Sequence, residues 1–127
     1  GSRTLGANNW KVRSYDKTPI KAALMNFAQI VFAKTYNILF SCDTTDINTM
    51  FKVFRSSCLR NFVLKSNGFE FDIELASKLA LSGSKPLELP VNYNSRGFDD
   101  GKKIRFFYDA FHSYLMLFRC FFGKENT

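Results

Sequence analysis

From Ile20 to Phe40 no Gly or Pro interrupts the chain, and Leu24, Phe27, Ala28, Val31, Phe32, Thr35, Ile38 and Leu39 recur at helical spacing. Pro19 stands where the first turn of that helix tolerates it, because the N–H it lacks would be unpaired there anyway. The run is about as long as a membrane crossing, but Lys21, Asn26, Gln29, Lys34 and Asn37 break it, so a buried or interfacial helix is expected. The preceding "TLGANNWKVRSYDKTP" keeps no period and is expected to be loop.

"CDTTDINT" is a cluster of turn formers, and "MFKVFR" after it alternates as a short strand would, over Phe51–Phe54. Ser56 or Ser57 is placed to cap a brief helix through Phe62. "FEFDIELASKLALSG" predicts an amphipathic helix over Phe69–Ser82, with Phe71, Leu75 and Leu79 inward, Asp72 and Lys78 outward, and Gly83 as its stop. "KPLELPVNY" alternates Leu87, Leu89, Val91 and Tyr93 as a strand with Pro at its edges. Beyond a charged bend, Phe107, Phe111, Tyr114, Phe118 and Phe122 form a stripe on a helix over Phe106–Phe121, with Arg105, Asp109, His112 and Arg119 on its other side. Two short strands cannot cover three apolar helices, so residues 1–127 read as a single partial α/β domain whose sheet is mostly elsewhere. Its last element is an amphipathic aromatic helix spanning about residues 104–122.

Charge narrows the partners. The 127 residues carry a formal net charge of +7, and residues 1–40 alone hold six Lys or Arg against Asp16. Such an excess attracts nucleic acid, acidic lipid headgroups or phosphorylated ligands. An RNA-binding module would interleave aromatics with Lys and Arg on an exposed strand, whereas most Phe here sit at helical spacing, so nucleic acid is not the expected partner. Cys42, Cys58 and Cys120 lie far apart, and a lone His does not complete a zinc site with them.

The bend "YNSRGFDDGKKIRFF" holds Arg96, Lys102 and Lys103 beside Gly97 and Gly101, a composition suited to gripping phosphate through a bidentate Arg and approaching backbone N–H groups. A solvated charged turn is the competing account. The stripe that follows fits a helix lying in the headgroup region, and Asp109 and Arg119 exclude a span.

Several blocks in one order carry a resemblance. "DINTMFKVFRSSCL" resembles the D-x-x-T-x-F-K-V-F-R segment of family 2 glycosyltransferases, in the dolichol-phosphate mannose synthase-like branch. "GFEFDIELASKLALSGSKPLELPVNYNSRGFDDGKKI" is similar to that branch's F-x-x-E-L helix, E-x-P-V-x-Y strand and R-x-x-x-E-G-K-K-I sequence, with Asp100 in place of the usual Glu. The opening "GSR" matches the strand end before the acceptor-side loop.

The resemblance implies the C-terminal, acceptor-side portion of a GT-A (Rossmann-like) fold, helix-rich with a few short strands. The implied activity is transfer of a sugar from a nucleotide-diphosphate sugar to a membrane-associated acceptor such as a polyprenyl phosphate. Mg²⁺ or Mn²⁺ would be held mainly by an N-terminal half, so this chain alone is expected to be inactive and to self-associate through exposed apolar surface. By the same resemblance Asp46 is the candidate general base or acceptor positioner, and Arg3, Lys52, Arg96, Lys102 and Lys103 are the candidate substrate- and phosphate-binding residues. A turn or capping role competes for Asp46, and a solvated one for Lys52. Glu74 is expected to be structural and His112 to be a helix residue rather than a ligand. The expected location is peripheral, at the cytoplasmic face of a membrane; the alternative function is a basic, non-catalytic membrane scaffold.

Overall fold

The computed structural model describes residues 1–6, 12, 19–60, 62–92 and 106–123. Helix α1 spans Arg3–Gly6, α2 Pro19–Phe40, α3 Phe71–Leu81 and α4 Phe106–Phe121, with a 3-10 turn at Ser56–Leu59. The long helices fall where the apolar periods put them. α1 is new relative to the loop expected there, and the 3-10 turn replaces the brief helix, with no side-chain cap at its start.

α2, α3 and α4 pack against one another. Their shared core gathers Phe32, Tyr36 and Phe40 from α2, Ile73, Ala76 and Ala80 from α3, and Met116, Leu117 and Cys120 from α4, closed by Ile47. Small residues on α3 let the larger rings approach. The Tyr36 hydroxyl donates to the Ala76 carbonyl at 3.0 Å, which satisfies it within this core. Burial pushes the Tyr36 phenol well above its ordinary pKa. Phe32 and Tyr114 meet edge to face with centroids 4.8 Å apart, and Phe40 meets Phe121 likewise at 5.9 Å, joining α2 to α4.

Both helix ends follow from backbone chemistry. Gly83 sits at φ +86° after α3, and the Ser84 N–H returns to the Leu79 carbonyl at 2.9 Å, the stop expected of that glycine. Ser41 takes the same left-handed role after α2 at φ 51° without being glycine, and the Cys42 N–H bonds the Asn37 carbonyl.

The predicted strands do not form as strands. Over the described residues the only pairing is an isolated parallel bridge between Ser2 and Pro90, made by Ser2 N–H to Leu89 O at 2.7 Å and Val91 N–H to Ser2 O at 3.0 Å. Phe51–Phe54 forms no ladder, and the Lys52 N–H turns back to the Met50 carbonyl at 2.9 Å; Tyr93, the end of the second predicted strand, lies outside the described residues. A strand needs a neighbour to satisfy its backbone, and sequence alternation supplies only one side of that requirement. α1 lies against the bridge so closely that a Cβ at Gly6 would sit 1.9 Å from the Val91 carbonyl oxygen, which makes glycine obligatory there.

The helix faces also differ from expectation. On α3, Phe71 is exposed and Lys78 is buried, the reverse of the predicted arrangement. Lys78 goes inward because Glu74, one turn earlier, and the Val63 carbonyl both accept from its ammonium, at 2.7 and 2.6 Å. On α2, Phe32 and Tyr36 turn inward while Leu24, Phe27, Val31 and Ile38 face solvent. On α4 there is no such reversal: Phe107, Phe111, Phe118 and Phe122, from the stripe expected to lie outward, are exposed, opposite the buried Met116, Leu117 and Cys120. The observed architecture is thus helix-rich with almost no strand among the described residues.

Candidate functional site

A buried polar node lies at one end of the helical core, built from segments more than forty residues apart. The turn that delivers Asp46 is fixed first. From the last turns of α2, the Asn37 amide donates to the Thr44 carbonyl at 2.8 Å, and its oxygen accepts the Thr44 N–H at 2.9 Å and hydroxyl at 2.8 Å. This is the reach-back that Asn performs well, and it places the next residues in register. The Glu88 carboxylate then accepts the Thr45 N–H at 2.8 Å, the Thr45 hydroxyl at 2.6 Å and the Asp46 N–H at 2.9 Å.

Asp46 is 1% exposed. Its Oδ2 accepts the Arg3 backbone N–H at 2.9 Å and Arg3 Nε at 2.6 Å, and its Oδ1 accepts Arg3 Nη2 at 2.7 Å and Gln29 Nε2 at 3.3 Å. A carboxylate has about four accepting positions, and all four are taken. The Arg3 fork is bidentate, the strongest geometry for such a pair. The arrangement suits Asp46 as a positioner and leaves a general base without an open lone pair. Arg3, for its part, serves Asp46 and is not among the cavity walls described below.

Beside the node opens a cavity of about 480 Å³. Its walls are largely apolar, with Phe54, Leu79 and Leu89 among them, and they include the cations Lys52, Arg55 and Lys85. The acids in the same walls, Asp46 and Glu88, are already compensated by Arg3 and by backbone donors. Lys52 is paired with Asp72, so the positive charge left without an acid in these walls comes from Arg55 and Lys85, and it favours an anionic group carried on an apolar body.

Of the sequence-predicted phosphate-binding residues that the structure describes, Lys52 is the one in these walls. Its ammonium reaches the Thr49 carbonyl and lies 3.4 Å from Asp72. Burial lowers its pKa, and Asp72 and then Asp46 resist the drop while Arg3 adds to it. Lys52 is thus not the solvated strand residue that alternation alone would allow, and it shares one electrostatic field with Arg3 and Asp46. Arg96, Lys102 and Lys103, the remaining candidates, lie outside the described residues.

Glu74 belongs to a separate buried lock. Its oxygens accept Lys65 N–H at 3.1 Å, Ser66 N–H at 2.8 Å and the Lys78 ammonium at 2.7 Å, tying the segment before α3 onto the helix. Burial pushes its carboxyl up, and the donors from Lys78, Ser66 and Lys65 overcome this and hold it at about 2. The structural expectation for Glu74 fits this geometry. His112, partly buried on α4, meets the Tyr108 ring at a tilt and the Phe111 ring edge to face, with centroids at 4.2 and 5.8 Å.

Three contributors were not singled out from sequence. Glu88 was legible as part of the E-x-P-V block but not as the residue that holds the Asp46 turn. Gln29 and Asn37 read as breaks in an apolar helix, which is the available signal: polar side chains on an inward helix face need internal partners.

A divalent cation does not fit this set. Both oxygens of Asp46 and both of Glu88 are committed to N–H and O–H donors, and among the described residues no group of three or more His, Cys, Asp or Glu is arranged to hold a metal ion. No family model, curated protein or solved structure matches the chain, so its geometry alone speaks for the site.

Proposed function

We propose that this chain forms the acceptor-side part of a glycosyltransferase that moves a sugar from a nucleotide-diphosphate donor to a membrane-associated acceptor, best a polyprenyl phosphate. The observation that carries the reading is convergence. The opening Gly-Ser-Arg, the D-x-x-T-x-F-K block and the E-x-P-V block are separate in sequence, yet Arg3, Asp46 and Glu88 meet in one node beside a cavity that also includes Lys52. A buried network shared by these blocks is what a common site would build, and it holds their relative positions through mutually supporting hydrogen bonds.

The chemistry fits the charge. An ionised acceptor phosphate oxygen attacks the anomeric carbon, the bond from that carbon to the donor diphosphate breaks, and the nucleoside diphosphate leaves with the electron pair. Such an acceptor needs positioning more than deprotonation, in keeping with an Asp46 already saturated by donors. Lys52, with Arg96, Lys102 and Lys103 as further candidates, supplies fixed positive charge for phosphate. The exposed Phe51 and Val53 on one predicted strand, and Leu87 and Leu89 on the other, are apolar surface of the kind a sheet from a nucleotide-binding half would cover. The outward aromatics of α4 support contact with a membrane. Among the described residues no helix is long and apolar enough to cross one.

The test is sugar transfer from a panel of nucleotide sugars to polyprenyl phosphate, by the protein at its natural length. Lys52→Ala and Arg96→Ala should each lower kcat/KM by roughly one to two orders of magnitude, since charge-assisted contacts are worth about 1.5–3 kcal/mol. Wild-type rates in both variants, with unchanged melting, would overturn the assignment.

A further inference from the structure

α2 is apolar on two opposite sides. Gln29, Phe32 and Tyr36 mark the side turned into the protein, while Ile20, Leu24, Phe27, Val31 and Ile38 are exposed, with Ile20 and Ile38 at 84% and 80%. At about 100° per residue those five side chains fall within an arc of about 60°, centred opposite the buried face. A helix that is hydrophobic all round has apolar neighbours all round. The inner neighbour is α3 and α4; the outer one is missing from the described residues.

Charge says what the outer neighbour is. α2 contains no Asp or Glu, and its lysines, Lys21 and Lys34, are both exposed. On the same angular count they lie to either side of the apolar ridge. The first forty residues hold six Lys or Arg against one Asp. An apolar ridge flanked by cations and free of acids matches the boundary between headgroups and acyl chains of an anionic bilayer. A second copy of the chain would bring like charges together along the same ridge.

We infer that the outer face of α2 is a lipid-contact surface, lying in the plane of an anionic membrane with its opposite face packed on the protein core. It is distinct from the aromatic stripe of α4 and needs no sugar transfer to be true. At 22 residues the helix offers a contact about 33 Å long.

Flotation of the 127-residue chain with phosphatidylcholine vesicles, with and without phosphatidylglycerol, reads the contact directly. Wild type should float with the anionic vesicles and detach as salt rises. Leu24→Ser/Phe27→Ser/Val31→Ser should weaken binding at least about tenfold, because insertion scales with buried apolar area. Lys21→Gln/Lys34→Gln should weaken it about tenfold or more, at roughly 1 kcal/mol per cation near the surface. The lysine pair decides the matter if the triple variant does not fold. Phe111→Ser/Phe118→Ser on α4 serves as the comparison. Failure of wild type to float, or undiminished flotation of a folded α2 triple variant or of the lysine pair, would overturn the inference. So would a wild-type oligomer that the α2 variants dissolve while vesicle binding persists, which would give the face to a second copy. No nucleotide sugar enters the assay, so a negative transfer experiment and a negative flotation experiment remain separate results.

Discussion

Removing the Asp46 carboxylate should cost more stability than any surface change in the chain. The Arg3 side chain is 9% exposed and that of Asp46 is not exposed at all, so Asp46→Ala leaves a guanidinium facing the hole where its partner stood. Breaking a buried pair from one side costs about 3–5 kcal/mol, most of it the uncompensated charge rather than the lost attraction. For a domain of this size that is a fall of about 10–20 °C in Tm. Asp46→Asn keeps the shape and one acceptor and should fall between wild type and Ala. The decisive arm is Arg3→Met/Asp46→Leu, which removes both charges and fills similar volume. It should recover most of the loss, giving a coupling energy of about 2 kcal/mol or more in a double-mutant cycle. Urea melts of wild type, Arg3→Met, Asp46→Leu and the double variant, with matched m-values, measure the coupling, and Asp46→Ala and Asp46→Asn are melted alongside. If Asp46→Ala lies within about 1 kcal/mol of wild type and the cycle is additive, the node is solvated in solution and the positioning role falls with it.

Glu74 and Lys52 should show in pH dependence. The folded Glu74 carboxyl is held at about 2 against an ordinary value of 4.5, so the unfolded chain binds its proton first as pH falls. The stability it contributes is present above pH 4.5 and is lost as pH falls toward 2, and Glu74→Gln should flatten that part of the acid limb in melts taken across the range. Lys52 should titrate below the exposed lysines when followed by NMR of methylated amines, and Asp72→Asn should lower its midpoint further, because Asp72 opposes the effect of burial. A midpoint that rises in Asp72→Asn would show that the 3.4 Å contact is not the one that matters.

The helices were legible because their signal is local. An uninterrupted apolar period from Ile20, a glycine at the one position after α3 that needs positive φ, and a Phe stripe toward the C-terminus all act within a turn or two. The predicted strands were only half legible. Alternation in "MFKVFR" and "KPLELPVNY" reports a chain able to pleat, but a strand exists only when another backbone pairs with it, and among the described residues Ser2 alone does so. Within the site, the blocks on which the resemblance rests singled out Asp46 and Lys52 as candidates. What they could not convey is that Arg3 closes on Asp46 and that Glu88 holds its turn, because those relations depend on how distant segments fold together.

The misassigned helix faces teach a different lesson. Reading a face from periodicity assumes that apolar means inward, which is a one-way rule. On α3 a Lys goes inward because Glu74 and a carbonyl accept from it, and Phe71, the first residue of the helix, stays exposed. On α2 the assumption fails because the helix has apolar residues enough for two neighbours and the three-helix core uses only one side of it; the α4 stripe, expected to lie outward, is left outside by the same core. The polar residues of α2 resolve which side that is. Asn26 and Gln29 are both buried on that side, and Gln29 is held there by its bond to Asp46 itself. The inner face of α2 is thus fixed by what the polar node needs, and the apolar ridge it leaves outside is left to the surroundings to cover.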